Sequence, residues 1–214
     1  MEPPLTNNFE TLFAGISSLN IIFLLIIACS IVSFALFFER LYCLKSLRNG
    51  FESFIQGIQN ALEMKDLSEA IKLCDKKEGS FSSVIKAGLL KANKEREVIE
   101  QAMELQARIE IASLEKNTKI LSLVAHIAPL IGLLGTVIGF IQAFSEMRLS
   151  GLVDINATKI GEALEFALIT TAAGLAVAIP TTLAYHYLVA RIENLVLELE
   201  ATSSEVVNIM LENQ

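Results

Sequence analysis

Threonines and glycines set one helical turn apart inside apolar sequence are the residues of this 214-residue chain with the most scope for chemistry. Thr136 stands among Gly132, Gly135 and Gly139 in the apolar run 120–144. In the run 160–188, Ala167, Thr171, Gly174, Ala178 and Thr181 alternate four and three apart and share one helix face. Small side chains let helix backbones approach closely, and a threonine hydroxyl in hydrocarbon bonds back to the preceding turn or serves a partner. The stripe therefore has two readings, as a surface that packs against another helix and as the lining of a narrow lumen. No carboxylate lies in the middle of either run, so neither can carry a proton through a membrane centre unaided. Glu162 and Glu165 open the second run, where the helix dipole favours negative charge and where they could also form the entrance to a cation path. Pro129 and Pro180 each remove a helix hydrogen bond and invite a kink that would shape the helix contact. His126 and His186 fall near one boundary of the runs and read as interfacial groups. No metal-ligand cluster, phosphate-binding glycine loop or nucleophile motif occurs, so the sequence assigns no catalytic residue, metal or cofactor and does not read as an enzyme.

The elements that must position these residues are membrane helices. Each run exceeds the roughly 20 apolar residues that cross a bilayer core. A third run, 19–38, is dominated by Ile, Leu and Phe, as expected of a helix that faces lipid over much of its circumference. With 53% hydrophobic residues, the composition is that of an integral membrane protein. The net charge of −7 carries little weight, since acidic residues hardly influence topology, and nothing points to nucleic acid. Arg40, Lys45 and Arg48 follow the first run and no basic residue precedes it, which predicts an outside N-terminus. The predicted organisation is a periplasmic amphipathic segment (1–18), a first span (19–38), a cytoplasmic helical domain (39–117), a second span (118–144), a periplasmic loop (145–159), a third span (160–188) and a cytoplasmic C-terminal helix (189–214). Phe9, Leu12, Phe13 and Ile16 share one helix face of the first segment, which reads either as a helix on the outer membrane–water boundary or as a flexible N-terminal arm. Cys29, Cys43 and Cys74 show no paired spacing and read as reduced thiols.

Between the first two spans the periodicity predicts helices alone. Asp66 and Glu69 form a capping-box pair that opens a helix over 67–77, Gly79 is placed to end it, and Ser80 to cap the next one through Leu90. Val98, Ala102, Leu105, Ile109 and Ala112 form an apolar stripe on a helix that runs into the second span. Ile192, Leu195, Leu199, Thr202, Val206 and Ile209 form a second stripe beyond the third span. The expected fold is an all-α integral membrane protein with three transmembrane helices and a cytoplasmic helical bundle, helices two and three extending far into the cytoplasm. The two stripes are expected to pack between subunits as well as within the chain, because a lone hairpin buries too little surface to stand clear of the bilayer.

The blocks APLIGLLGTVIGF (128–140) and ALITTAAGLAVAIP (167–180), on the second and third of three spans, together with Phe38-Glu39-Arg40, resemble the MotA/TolQ/ExbB proton channel family and within it the ExbB/TolQ branch. The four-span MotA branch is a poorer match. The resemblance implies a homopentamer in the bacterial inner membrane, with its second and third spans around a pore. It implies an ExbD/TolR-type partner whose single membrane helix brings the missing carboxylate as an aspartate, and a TonB or TolA-type protein that passes work from the proton-motive force to TonB-dependent transport or Tol-Pal function at the outer membrane. Thr136 and Thr171 take the positions of the pore threonines, and Glu39 and Arg40 mark the inner boundary beside membrane lipid. In one respect the chain departs from the pattern: the glutamate that lies eight residues before the third-span glycine is here Phe166, which leaves Glu162 or Glu165 to gather protons. A non-conducting scaffold that holds a partner helix, and a sodium-driven subunit, are the alternative readings.

Overall fold

The structure, a computed structural model, describes residues 6–48, 50–77, 79–150 and 157–212, and every element among them is a helix. They are α1 (Thr6–Arg48), α2 (Phe51–Glu63), α3 (Leu67–Lys76), α4 (Ser80–Leu89), α5 (Arg96–Ser150) and α6 (Ala157–Glu212). Three of them, α1, α5 and α6, contain stretches long and apolar enough to cross a membrane, and the fold is the expected all-α membrane protein. The side chains of Phe9, Leu12, Phe13 and Ile16 lie outside the described residues, as does the loop segment 151–156. Inside the segment expected as a periplasmic loop, 145–159, α5 continues to Ser150 and α6 begins at Ala157. The chain divides into two compact units, one of the apolar segments (1–37 and 120–185) and one of the polar segments (38–119 and 186–214).

The polar unit is a helical bundle around one core. Phe51, Phe54, Ile58 and Leu62 of α2, Ala70 and Cys74 of α3, and Phe81, Ile85 and Leu89 of α4 meet Ile99 and Met103 of α5 and Leu199, Val206, Val207 and Met210 of α6. Phe51 and Phe81 lie 4.3 Å apart between ring centroids. Gly88 lets α4 approach α5, since a Cβ there would stand 2.5 Å from Met103 Sδ. The capping pair forms by half: the Asp66 carboxylate accepts from the Glu69 amide at 3.0 Å, but the Glu69 side chain pairs with Lys72 at 3.8 Å instead of reaching back. Gly79 has a different role from the expected one. With φ at +146° it is the N-cap of α4, and its carbonyl accepts from the Ser82 and Ser83 hydroxyls at 2.8 and 3.2 Å, so Ser80 is the first helical residue instead of the cap. The apolar stripe on α6 is largely buried, with Ile192, Leu199, Thr202 and Val206 in the interior. The stripe on α5 is not. Val98, Leu105 and Ile109 are exposed, and the residues that α5 buries near its start are Ile99 and Met103, about 100° further round the helix.

Among the described residues of the apolar unit, α1 exposes Ile21, Leu24, Ile27, Ile31 and Phe34 and buries Ile22, Ile26 and Ser33, the wide apolar surface expected of a lipid-facing helix. Both Pro129 and Pro180 lie inside helices that continue through them. In this unit α5 and α6 form a closely packed hairpin.

Candidate functional site

Glycine sets how near the two helices of the hairpin come. A Cβ built at Gly174 would lie 2.7 Å from the Ala128 carbonyl oxygen and 3.0 Å from Gly132 Cα. One at Gly132 would lie 2.9 Å from the Thr170 carbonyl oxygen, and one at Gly139 would lie 2.7 Å from both the Ala163 carbonyl oxygen and Ala167 Cβ. Backbone atoms cannot yield as a flexible side chain does, so the contact tolerates nothing larger than hydrogen at these points. Gly135 faces the Thr170 side chain. Thr170 is fully buried, and the sequence reading overlooked it; its position three residues after Ala167 was the signal that it shares the packed face.

The hydroxyls in this unit fall into two kinds. Those of Thr136, Thr170, Thr181 and Thr182 donate to carbonyls of their own preceding turn, Thr136 to Leu133 at 2.6 Å and Thr170 to Ala167 at 2.9 Å. Thr171 instead donates across the hairpin to the Gly132 carbonyl at 3.1 Å. Thr136 follows Gly132 by four residues and Thr171 follows Ala167 by four, which turns each about 40° off the contact line. In an antiparallel pair those two rotations lead to the same flank. Each hydroxyl spends its proton on a carbonyl and keeps oxygen lone pairs, so the flank can accept hydrogen bonds from a protonated group or coordinate a cation, but cannot itself carry a proton.

Phe166 turns the opposite way, about 100° from Ala167, and its ring meets Phe23 of α1 edge to face at 5.5 Å and 72°. At the position where the resemblance implied a carboxylate, the chain has an aromatic contact between α1 and α6. Glu162 and Glu165 are both exposed. They precede Thr171 by nine and six residues, which is about 14 and 9 Å along the helix axis, and point about 180° and 120° away from it. Within one protomer the structure therefore joins Thr171 to the glycines but brings neither glutamate to the threonines. A further carboxylate at the same end, Glu146, pairs with Lys159 at 3.6 Å.

The pair Glu39 and Arg40 belongs to the polar unit. The Glu39 carboxylate accepts twice from Asn117 Nδ2, at 2.8 and 3.1 Å, a tie between α1 and α5 that sequence reasoning did not find. Nothing in local periodicity links two residues 78 positions apart. Arg40 is buried. Among the described residues no group of His, Cys, Asp and Glu is arranged to hold a metal ion.

Comparison with known proteins gives the family. The model of the MotA/TolQ/ExbB proton channel family matches residues 76–201, which take in the whole hairpin and much of the polar unit. The chain is 30% identical to the Tol-Pal system protein TolQ of Haemophilus influenzae over 86% of each chain. It is 29% identical to an ExbB homologue of Methanothermobacter thermautotrophicus over 89% of this chain and 67% of that one. It is also 42% identical to the biopolymer transport protein ExbB of Helicobacter pylori over 44% of this chain and 66% of that one. A match over more than half of the sequence and a TolQ aligned along most of its length establish that the chain belongs to the MotA/TolQ/ExbB proton channel family, in its ExbB/TolQ branch.

Proposed function

We propose that this chain is the ring-forming subunit of an inner-membrane motor that conducts protons only together with an ExbD/TolR-type partner, and that the work reaches the outer membrane through a TonB or TolA-type protein. The observation that carries the reading is the threonine flank of the hairpin: Thr136 and Thr171 offer oxygen acceptors beside a glycine-tight contact, while both apolar runs lack a carboxylate at mid-depth. Such a surface is complete as a lining and incomplete as a carrier, and a partner helix with one aspartate supplies what it lacks. Glu162 and Glu165, exposed at the far end, gather protons at the mouth formed by several copies. The apolar stripe of Val98, Leu105 and Ile109, exposed on α5, supports a homo-oligomer, taken here as a pentamer, because an unpartnered stripe of this kind on a long helix calls for a neighbour.

The test is cysteine cross-linking from Thr136→Cys and Thr171→Cys to the membrane helix of the co-expressed partner. Cross-links from both positions, with none from Ile169→Cys, which is exposed on α6 about 160° round the helix from Thr171, are the expected result. Cross-links confined to Ile169→Cys would overturn the assignment of the lining. A second reading, a scaffold that holds the partner helix without conducting, is favoured by the Phe166–Phe23 contact, which fills the place of a carboxylate with an aromatic ring.

A further inference from the structure

We propose that Arg40 holds the phosphate group of a membrane lipid at the boundary of the first span. Arg40 is only 9% exposed and shares a buried face of α1 with Leu44, whereas Phe38, Tyr42 and Lys45 are exposed on the opposite side of the helix. An arginine remains protonated in proteins, and a buried charge without a counter-ion is costly. Among the described residues no carboxylate pairs with Arg40, and its Nε is closed off from solvent without any hydrogen-bond acceptor. The adjacent acid does not neutralise it. Glu39 points about 100° away around the helix and is held by the neutral amide of Asn117 at 2.8 and 3.1 Å. The protomer thus satisfies the acid with an amide and leaves the guanidinium without an anion.

The ligand chemistry follows from shape and depth. Among the described residues the two terminal nitrogens of Arg40 have no hydrogen-bond partner either but are not fully closed off as Nε is, so the outer edge of the planar fork is the side an anion can reach. That fork matches two oxygens of a phosphate, each bond strengthened by charge. Arg40 lies two residues beyond the apolar run 19–38, at the depth of the headgroups, and Tyr42 and Lys45 are residue types that settle there. A carboxylate from a second copy of the chain would also neutralise the charge. The lipid phosphate is favoured because every headgroup presents one at this depth, with no need to bring two chains into register. The proposal rests on 19–38 being a membrane span and is independent of ion conduction.

Native mass spectrometry of the full chain in detergent, with added phosphatidylglycerol or with inorganic phosphate alone, tests it on the wild type, Arg40→Gln and Arg40→Lys. The expected result is a wild-type lipid adduct that falls about tenfold in Arg40→Gln, with the oligomer distribution unchanged. Arg40→Lys keeps the charge but loses the fork; it serves if the glutamine variant does not fold, and its lipid occupancy should also fall below wild type. Lipid adducts equal to wild type in a folded variant would overturn the proposal. So would an adduct with inorganic phosphate that lipid does not displace, which assigns the site to a free anion. Dissociation of the oligomer in Arg40→Gln with lipid binding intact would overturn it in favour of a carboxylate from another subunit.

Discussion

Thr171 differs from Thr136, Thr170, Thr181 and Thr182 in what its hydroxyl reaches, a carbonyl across the hairpin instead of one in its own preceding turn, so at the scale of single residues its removal and theirs cost stability differently. Thr171→Val removes one hydrogen bond between helices, worth about 0.5–1.5 kcal/mol, and the hairpin and oligomer should survive it while partner-dependent proton flux is lost. Thr136→Val removes a bond within one helix and should cost less stability than Thr171→Val, again with loss of flux. Thermal unfolding in detergent beside flux in liposomes checks both. Normal flux through either valine variant would return that threonine to a purely structural role. Cys74 illustrates the opposite case, a reactive residue type made inert. Burial, with the neighbouring Asp75 and against the opposing Lys86, pushes its thiol from 9.0 up to about 11. The fold therefore favours the neutral thiol, and this contribution to stability is full below pH 9.0 and is lost as pH rises toward about 11, where the folded thiol also ionises. At pH 8 maleimide should label Cys74 only after denaturation, and fast labelling of the folded chain would contradict its burial.

At the scale of elements, the hairpin depends on glycine only where the two backbones touch. Gly174→Ala places a methyl group against the Ala128 carbonyl and Gly132 Cα and should destabilise the chain by about 1–3 kcal/mol. Gly161→Ala on the same helix meets no atom within 4 Å and should be neutral or slightly stabilising. Comparison of the two midpoints in a thermal or denaturant titration separates contact from helix propensity; equal effects would mean that the close approach is not what Gly174 provides. The spans and the packed glycines were legible in the sequence because length, hydrophobicity and one-turn spacing act locally. The α5 stripe was read less well. Val98, Leu105 and Ile109 alternate as a buried seam should, yet Ile99 and Met103 beside them are the residues that enter the core. Periodicity finds an apolar face but does not say which of two adjoining faces the rest of the chain covers. The shift of the α4 cap from Ser80 to Gly79 arises similarly, from a backbone at φ +146° that residue type alone does not reveal. The bond from Asn117 to Glu39 is a tertiary contact with no local trace.

For the molecule as a whole, the exposed stripe on α5 and the missing mid-depth carboxylate both support the proposed reading of one chain as part of a larger assembly. Leu105→Asp and Ile109→Asp place charges on a face that the protomer leaves uncovered, so each should weaken the oligomer while retaining helical content. Light scattering beside circular dichroism checks this, and an unchanged mass would show that subunits meet elsewhere. On the proposed function, the proton path is shared between this chain and a partner. The measurement that tests it most directly is proton flux into liposomes under an imposed gradient, with this chain alone and with its single-span partner. Flux that appears only with the partner is the predicted result. Flux through the chain alone, or none from an assembly shown to be intact and partner-bound, would contradict it.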